Sequence, residues 1–249
     1  MIKAEFMIEA QSNSQKAAER SLKKLVERLR SEPGVRVLRE EHGEVEEQEG
    51  LYSCITELEI EFSDLRSYLN AAIAYGPSAI YVHSPERLVL HREEFLLTLG
   101  EVIRTLREFY TRYRVGFKLE PEGKARIGLD EYDIEELLKD GALHVKLVAE
   151  VYAGSEKEAV DLFAADIAEE APVNRAKSSF NPESGAYLVA VEAFPYDARA
   201  LFSIAVRHVP VLVEVLEPER MVLSMGDLQD IALDLAGVLF EASQMIALR

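Results

Sequence analysis

The 249-residue chain contains no tryptophan and a single cysteine, Cys54. One thiol cannot form an intrachain disulfide, and it excludes any multi-cysteine metal site. Cys54 falls inside a strand-like stretch, so a buried, inert thiol is expected. Basic side chains are outnumbered, with 28 Lys and Arg against 45 Asp and Glu and a net charge of −17. Phosphate backbones and anionic membranes are repelled by such a surface, so neither nucleic acid nor membrane is an expected partner. No apolar run reaches the roughly 20 residues needed to span a bilayer. The last helical stretch comes nearest, but Asp227, Asp230, Asp234 and Glu241 interrupt it. A strand pattern begins directly after Met1, with no signal peptide ahead of it. Together these absences predict a soluble, cytoplasmic protein.

Motifs that announce chemistry are also missing. The chain has no GxxxxGK[ST], no GxGxxG after a strand, no HExxH and no GxSxG, which argues against P-loop, dinucleotide-binding, zincin and α/β-hydrolase sites. No cofactor is implied. Low-complexity stretches are absent, and the 48% apolar content is enough to build a core.

What the chain does contain is a repeat. The stretch DLRSYLNAAIAYGPSAIYVHSPERLVL from Asp64 matches DARALFSIAVRHVPVLVEVLEPERMVL from Asp197 at an offset of 133. Carried without a gap to Glu108 and Glu241, the alignment holds 12 identities in 45 positions, where about three to four are expected from average residue usage. The halves before Asp64 and Asp197 match more loosely but keep one order of elements. Residues 2–10 and 144–152 alternate as strands. A helix follows each. The first carries a Leu22, Leu25, Val26, Leu29 stripe. The second opens on a Ser155-x-x-Glu158 capping box, with Val160, Phe163 and Ile167 as its apolar face.

Two strands follow in each copy, about 35–41 and 51–62 in the first, 174–178 and 186–193 in the second. The acidic HGEVEEQEG between the first pair reads as a long hairpin loop or a strand extension. Asp64 and Asp197 each cap a second helix. Next, SPER and EPER read as four-residue turns between strands, with Pro at the second turn position favouring type I. A long helix closes each copy, opened by His91 with Glu94 and by Ser224 with Asp227. Its apolar faces are Phe95, Leu99, Val102, Leu106 and Phe109 in the first copy. In the second they are Leu228, Ile231, Leu235, Val238, Ala242 and Met245.

The expected fold class is α+β. It is a tandem duplication of a βαββαβ unit that resembles the ferredoxin-like split βαβ arrangement, each copy with an extra C-terminal long helix. The domains are expected at 1–112 and 143–249. Residues 113–142 form an acidic, partly helical connector, with Asp130 as a cap and Gly141 as a stop. The second copy carries most of the charge, with 17 acids against 8 bases. The final helix is apolar around much of its circumference, which calls for burial against the other copy or another subunit.

Candidate site residues are few. His83 and His91 flank the first Pro-Glu-Arg turn, with Glu86 between them, and a two-His-one-carboxylate metal site is conceivable there. Leu216 and Ser224 occupy the matching positions of the second copy, and the bland reading, exposed strand-end histidines with no metal, is preferred. Arg87 and Arg220 could clamp an anion, but their retention in both copies suits a turn with an ion pair better. His208 completes the set worth testing. Glu44, Glu46, Glu47 and Glu49 read as a solvated hairpin tip. The basic run on the first helix reads as an i,i+4 ion-pair face.

Fold alone does not assign function. The preferred expectation is a non-enzymatic interaction or ligand-sensing module, built as an intrachain pseudo-dimer. Its partners would be a small molecule, a protein or a further copy of itself as a homo-oligomer. The alternative is an enzyme with a dispersed active site in the cleft between the repeats, drawing on Arg87, Arg220, His83, His91 and His208. Because features common to both copies look like scaffold, specialised function is expected where the copies differ.

Overall fold

The computed structural model describes residues 1–48, 50–113, 119 and 126–247, with side chains in the final helix described to residue 238. Glu49, the turn expected at residues 120–123, and the side chains of Ala242 and Met245 lie outside the described residues. In chain order the first elements are β1 (Ile2–Ser12), α1 (Gln15–Arg30), β2 (Val35–His42), β3 (Glu46–Gln48), β4 (Leu51–Phe62) and α2 (Leu65–Tyr75). Then come β5 (Ala79–Ser84), β6 (Arg87–His91), α3 (Arg92–Tyr113), α4 (Glu131–Lys139), β7 (His144–Val151) and α5 (Glu156–Ile167). The chain ends with β8 (Val173–Asn181), β9 (Ala186–Ala193), α6 (Ala198–His208), β10 (Leu212–Glu217), β11 (Arg220–Ser224) and α7 (Met225–Ala247). The fold is mixed α+β, with three antiparallel sheets and seven helices among the described residues.

One sheet runs β2-β4-β1-β5, with β3 paired to β4. The other runs β8-β9-β7-β10. Reading β7, β8, β9 and β10 as the counterparts of β1, β2, β4 and β5, the two orders are the same. Period-two patterning sets which face each sheet buries. In β1, Ile2, Ala4, Phe6, Ile8 and Ala10 are buried, while Lys3, Glu5, Met7 and Glu9 are half-buried on the other face.

The chain divides into two compact units, and they do not follow the repeat. Residues 1–88 and 223–249 form one unit, and residues 89–222 form the other. Each therefore holds one of the two larger sheets and the long helix that follows the other sheet in sequence. In the first unit, α7 packs on α2 and β5. Leu228, Ile231, Ala232, Leu235 and Ala236 are buried among its described side chains. The buried Tyr68 hydroxyl donates to Leu228 O at 3.0 Å, and the Val82 amide of β5 donates to Gln229 Oε1 at 3.4 Å. In the second unit, α3 packs on α6 and β10. Phe95 meets Phe202 edge-on, with ring centroids 5.2 Å apart. Arg92 Nη1 donates to Leu216 O of β10 at 2.7 Å. In both units the borrowed helix lies beside an outer strand whose backbone groups would otherwise be open for pairing.

Both passages of the chain between units occur within β6 and β11, which pair as the third sheet. This corrects the hairpin reading of the two Pro-Glu-Arg segments. β5 pairs with β1 and β6 with β11, so β5 and β6 are not hairpin partners. Nor are the turns type I, because the Ser84-Pro85 and Glu217-Pro218 bonds are cis. The repeated tripeptides have a structural role instead. Glu86 O accepts from the Met225 amide at 3.1 Å, and Glu219 O accepts from the Arg92 amide at 2.8 Å. Each turn thus satisfies an amide at the start of a long helix, where free N–H groups need partners.

The expected caps form at most helix starts. Asp64 accepts from the Ser67 amide at 2.8 Å and Asp197 from the Ala200 amide at 2.7 Å. Asp130 caps α4, and Ser224 and Asp227 exchange bonds of 3.1 and 2.7 Å. At α5 the Glu158 amide donates to Ser155, but the Glu158 carboxylate accepts from Gly154 rather than from Ser155. The acidic hairpin is a strand extension, with β3 paired to residues 51–53 of β4. Cys54 is buried, and burial pushes its thiol pKa up.

Candidate functional site

The five residues singled out from the sequence have separate surroundings. His83 is half-exposed on β5, 4.0 Å from Glu5 Oε2. His91 is exposed at the end of β6, 3.8 Å from Glu219 Oε1. Arg87 and Arg220 are exposed at the starts of β6 and β11, and no ion pair reaches either among the described residues. No group of three His, Cys, Asp or Glu side chains that could hold a metal occurs among the described residues. His208 differs from the other four. Its side chain is only 4% exposed, and Nε2 lies 2.9 Å from Asp166 Oδ2.

His208 also lines a cavity of about 590 Å³, entirely within residues 89–222. Four elements supply the walls. Arg107, Tyr110 and Thr111 come from one face of α3, at i, i+3 and i+4. Glu150 and Val151 end β7, and Tyr152 follows them. Glu158 and Leu162 are one turn apart on α5, and Arg207, His208 and Val209 end α6. The volume falls in the range typical of small-molecule sites.

Charges around the cavity fall into two groups. One is internally committed. Arg207 is ion-paired with Glu170 and lies 3.8 Å from Asp166. The His208 ring, followed by the Arg207 guanidinium, holds the Asp166 carboxyl below the usual carboxylate range. The Phe163 ring stands edge-on to His208 with centroids 4.8 Å apart, fixing the imidazole plane. Glu158 is used by the Gly154 amide. The other group is uncommitted. Arg107 donates from Nη2 to Val209 O at 2.8 Å, but no carboxylate pairs with it among the described residues. Glu150 is exposed, and its cross-strand neighbour is the uncharged Leu188. Above the aromatic wall, burial pushes the Tyr110 hydroxyl pKa up to about 12, so Tyr110 stays neutral at physiological pH.

Val209 marks the lip of this cavity. It caps α6 with φ +44° and ψ +56°, and it is the one non-glycine residue with positive φ among the described residues. A β-branched side chain is disfavoured there by steric clash with its own backbone. Gly76 holds the corresponding αL position after α2 without that penalty.

A second cavity, of about 450 Å³, lies in the first unit between the α1–β2 turn and α2. Its polar groups are mutually engaged. Tyr75 donates to Glu32 at 2.7 Å, and Asp64 serves as the α2 cap.

The MJ0538 family profile matches residues 3–249. The chain belongs to the MJ0538 family. An uncharacterized protein of that name from Methanocaldococcus jannaschii is 29% identical over 265 aligned residues, covering all of both chains. No solved structure matches the chain. Within this family member, no described helix is long and apolar enough to cross a membrane.

Sequence reasoning selected His208 but missed its neighbours Asp166, Arg107, Arg207, Glu150 and Val209. The signal was present in the repeat. At the offset of 133, Arg207, His208 and Val209 stand opposite Ala74, Tyr75 and Gly76, and Arg107 stands opposite Phe240. The two aligned stretches lose identity at these clustered positions.

Proposed function

We propose that this protein is a non-catalytic, cytoplasmic ligand-sensing module, built from a tandem duplication of a ferredoxin-like unit that acts as an intrachain pseudo-dimer. One observation carries the sensing reading. At the cavity of residues 89–222, Arg107, Arg207 and His208 stand opposite Phe240, Ala74 and Tyr75 at the repeat offset, so these three charged or titratable groups are not duplicated. The duplication is supported by the 12 identities and by the shared strand order of the two larger sheets. That order, with the first strand flanked by the third and fourth, is the one the split βαβ arrangement requires. In this reading the unit of residues 89–222, whose cavity wall joins α3 of the first copy to elements of the second, took on ligand binding. Domains at 1–112 and 143–249 describe the duplicated units, and the exchange of their closing helices describes how they fold.

Native mass spectrometry of the purified protein tests the reading and reports subunit count at the same time. A small molecule retained by the wild type and lost from Leu162→Trp, which fills the cavity, supports it. A protein that carries no small molecule and is not stabilised by any member of a metabolite panel sinks it. A homo-oligomer is proposed on the same terms, and a single chain mass at every concentration removes that part.

A catalytic reading is favoured by one feature, the Asp166–His208 pair at the cavity wall. A carboxylate 2.9 Å from one imidazole nitrogen is a pairing of the kind general acid–base catalysis uses. Turnover of any panel compound that Leu162→Trp and His208→Gln both abolish would replace sensing with catalysis.

A further inference from the structure

We infer that the cavity of residues 89–222 takes a small zwitterion, its carboxylate on Arg107 and its ammonium group on Glu150. The inference rests on reading that cavity as a ligand site and names the class of ligand. It follows from which charges are already spent. Arg207 is shared between Glu170 and Asp166, His208 Nε2 lies beside Asp166, and Glu158 is held by a backbone amide. Among the described lining residues, one guanidinium and one carboxylate remain.

Arg107 is held in place by its bond to Val209 O, which occupies one of its five N–H donors. The remaining donors keep the planar fork that binds a carboxylate through two parallel bonds. Glu150 is acceptor-only when ionised and suits an ammonium group. A polyanion such as a triphosphate would meet one uncommitted guanidinium among the described lining residues, in a chain of net charge −17. A polycation would meet Arg107 itself. A ligand with one charge of each sign leaves neither Arg107 nor Glu150 unpaired. Tyr152, 71% exposed, also lines the cavity and supplies an aromatic ring of the kind that attracts a cation. Free amino acids and short peptides with free termini both present this chemistry.

Isothermal titration with the twenty amino acids and with Ala-Ala, N-acetyl-Ala-Ala and Ala-Ala amide tests the inference. At least one amino acid or Ala-Ala is expected to bind, and each blocked form at least tenfold more weakly than Ala-Ala where the dipeptide binds. In Arg107→Met, blocking the carboxylate should make no further difference. In Glu150→Gln, blocking the amine should make none. Both substitutions are on exposed side chains, so folding is not at issue. Equal binding of free and blocked forms, or binding indifferent to both substitutions, overturns the inference. Glucose, citrate and spermidine separate the two levels of failure. If one of these binds, is lost in Leu162→Trp, and no amino acid or Ala-Ala binds, the zwitterion is wrong and the cavity remains a ligand site. If no probe binds, both readings are overturned.

Discussion

Phe95 lies in α3, which follows the β2-β4-β1-β5 sheet in sequence but packs in the unit of residues 89–222, so truncating it separates sequence order from structural unit. Its side chain is fully buried, and its ring stands edge-on to Phe202. Phe→Ala in a packed core costs about 3–5 kcal/mol, the lost transfer energy plus the cavity left behind. The edge-on aromatic pair places Phe95→Ala towards the upper part of that range. At about 2–4 °C per kcal/mol for a chain of this length, the melting temperature should fall by roughly 10 °C or more. Calorimetry gives the size of the loss, and hydrogen exchange read by mass spectrometry gives its location. Amides of β7, β9, β10 and α6 should lose protection first, because local openings follow cooperative units rather than sequence blocks. Leu228→Ala is the mirror case. It should cost about 2–5 kcal/mol and loosen α2, β1 and β5. Should Phe95→Ala deprotect β1 and β4 while β7 and β9 stay closed, the exchange of closing helices would be refuted.

The remaining predictions concern single groups. Tyr68→Phe removes the buried donor to Leu228 O and should cost about 1–2 kcal/mol, seen as a lower denaturation midpoint with an unchanged slope. Asp166 has a folded pKa below its unfolded value near 3.9, so its contribution is fully present above about pH 4 and is lost as pH falls through the lowered folded value. The stability gap between wild type and Asp166→Asn should therefore shrink as pH falls below about 4, and a gap that widens below that pH refutes the assignment. Val209→Gly relieves a positive φ that costs about 1–2 kcal/mol for a branched residue, less the entropy and contacts that glycine forgoes. The variant should melt slightly higher than the wild type, and a marked fall would show that the Val209 side chain outweighs its backbone strain.

Much of the local structure was legible in the sequence because it is set by short-range chemistry. Asp64, Asp197, Ser224 and Asp130 cap helices for reasons contained within four residues. The alternation of Ile2 to Ala10 identifies a strand with one buried face. The exchange was not legible. The stripe Phe95, Leu99, Val102 and Leu106 demands burial without naming the sheet that supplies it. The apolar circumference of α7 pointed to more than one neighbour and could not identify α2 and β5. The Pro-Glu-Arg segments were misread as hairpins because strand–turn–strand patterning carries no record of which strands pair. For the candidate site, His208 was visible as a residue. Its meaning depends on Asp166, Phe163 and Arg107, which lie 42, 45 and 101 positions away.

The exchanged helices also impose an order on folding during synthesis. The unit of residues 89–222 receives α3 before its own strands are made, so its parts are complete once β10 and the start of β11 emerge. The other unit has its sheet by residue 84 but waits for α7, which begins at Met225 and ends near the terminus. At about 5–20 residues per second, the nascent chain carries that unfinished core for roughly 10–30 s. During this interval the side of α2 and β5 destined for α7, including Tyr68 and Val82, faces the ribosome exit and its surroundings. The half of the protein that is translated first is thus the half that matures last.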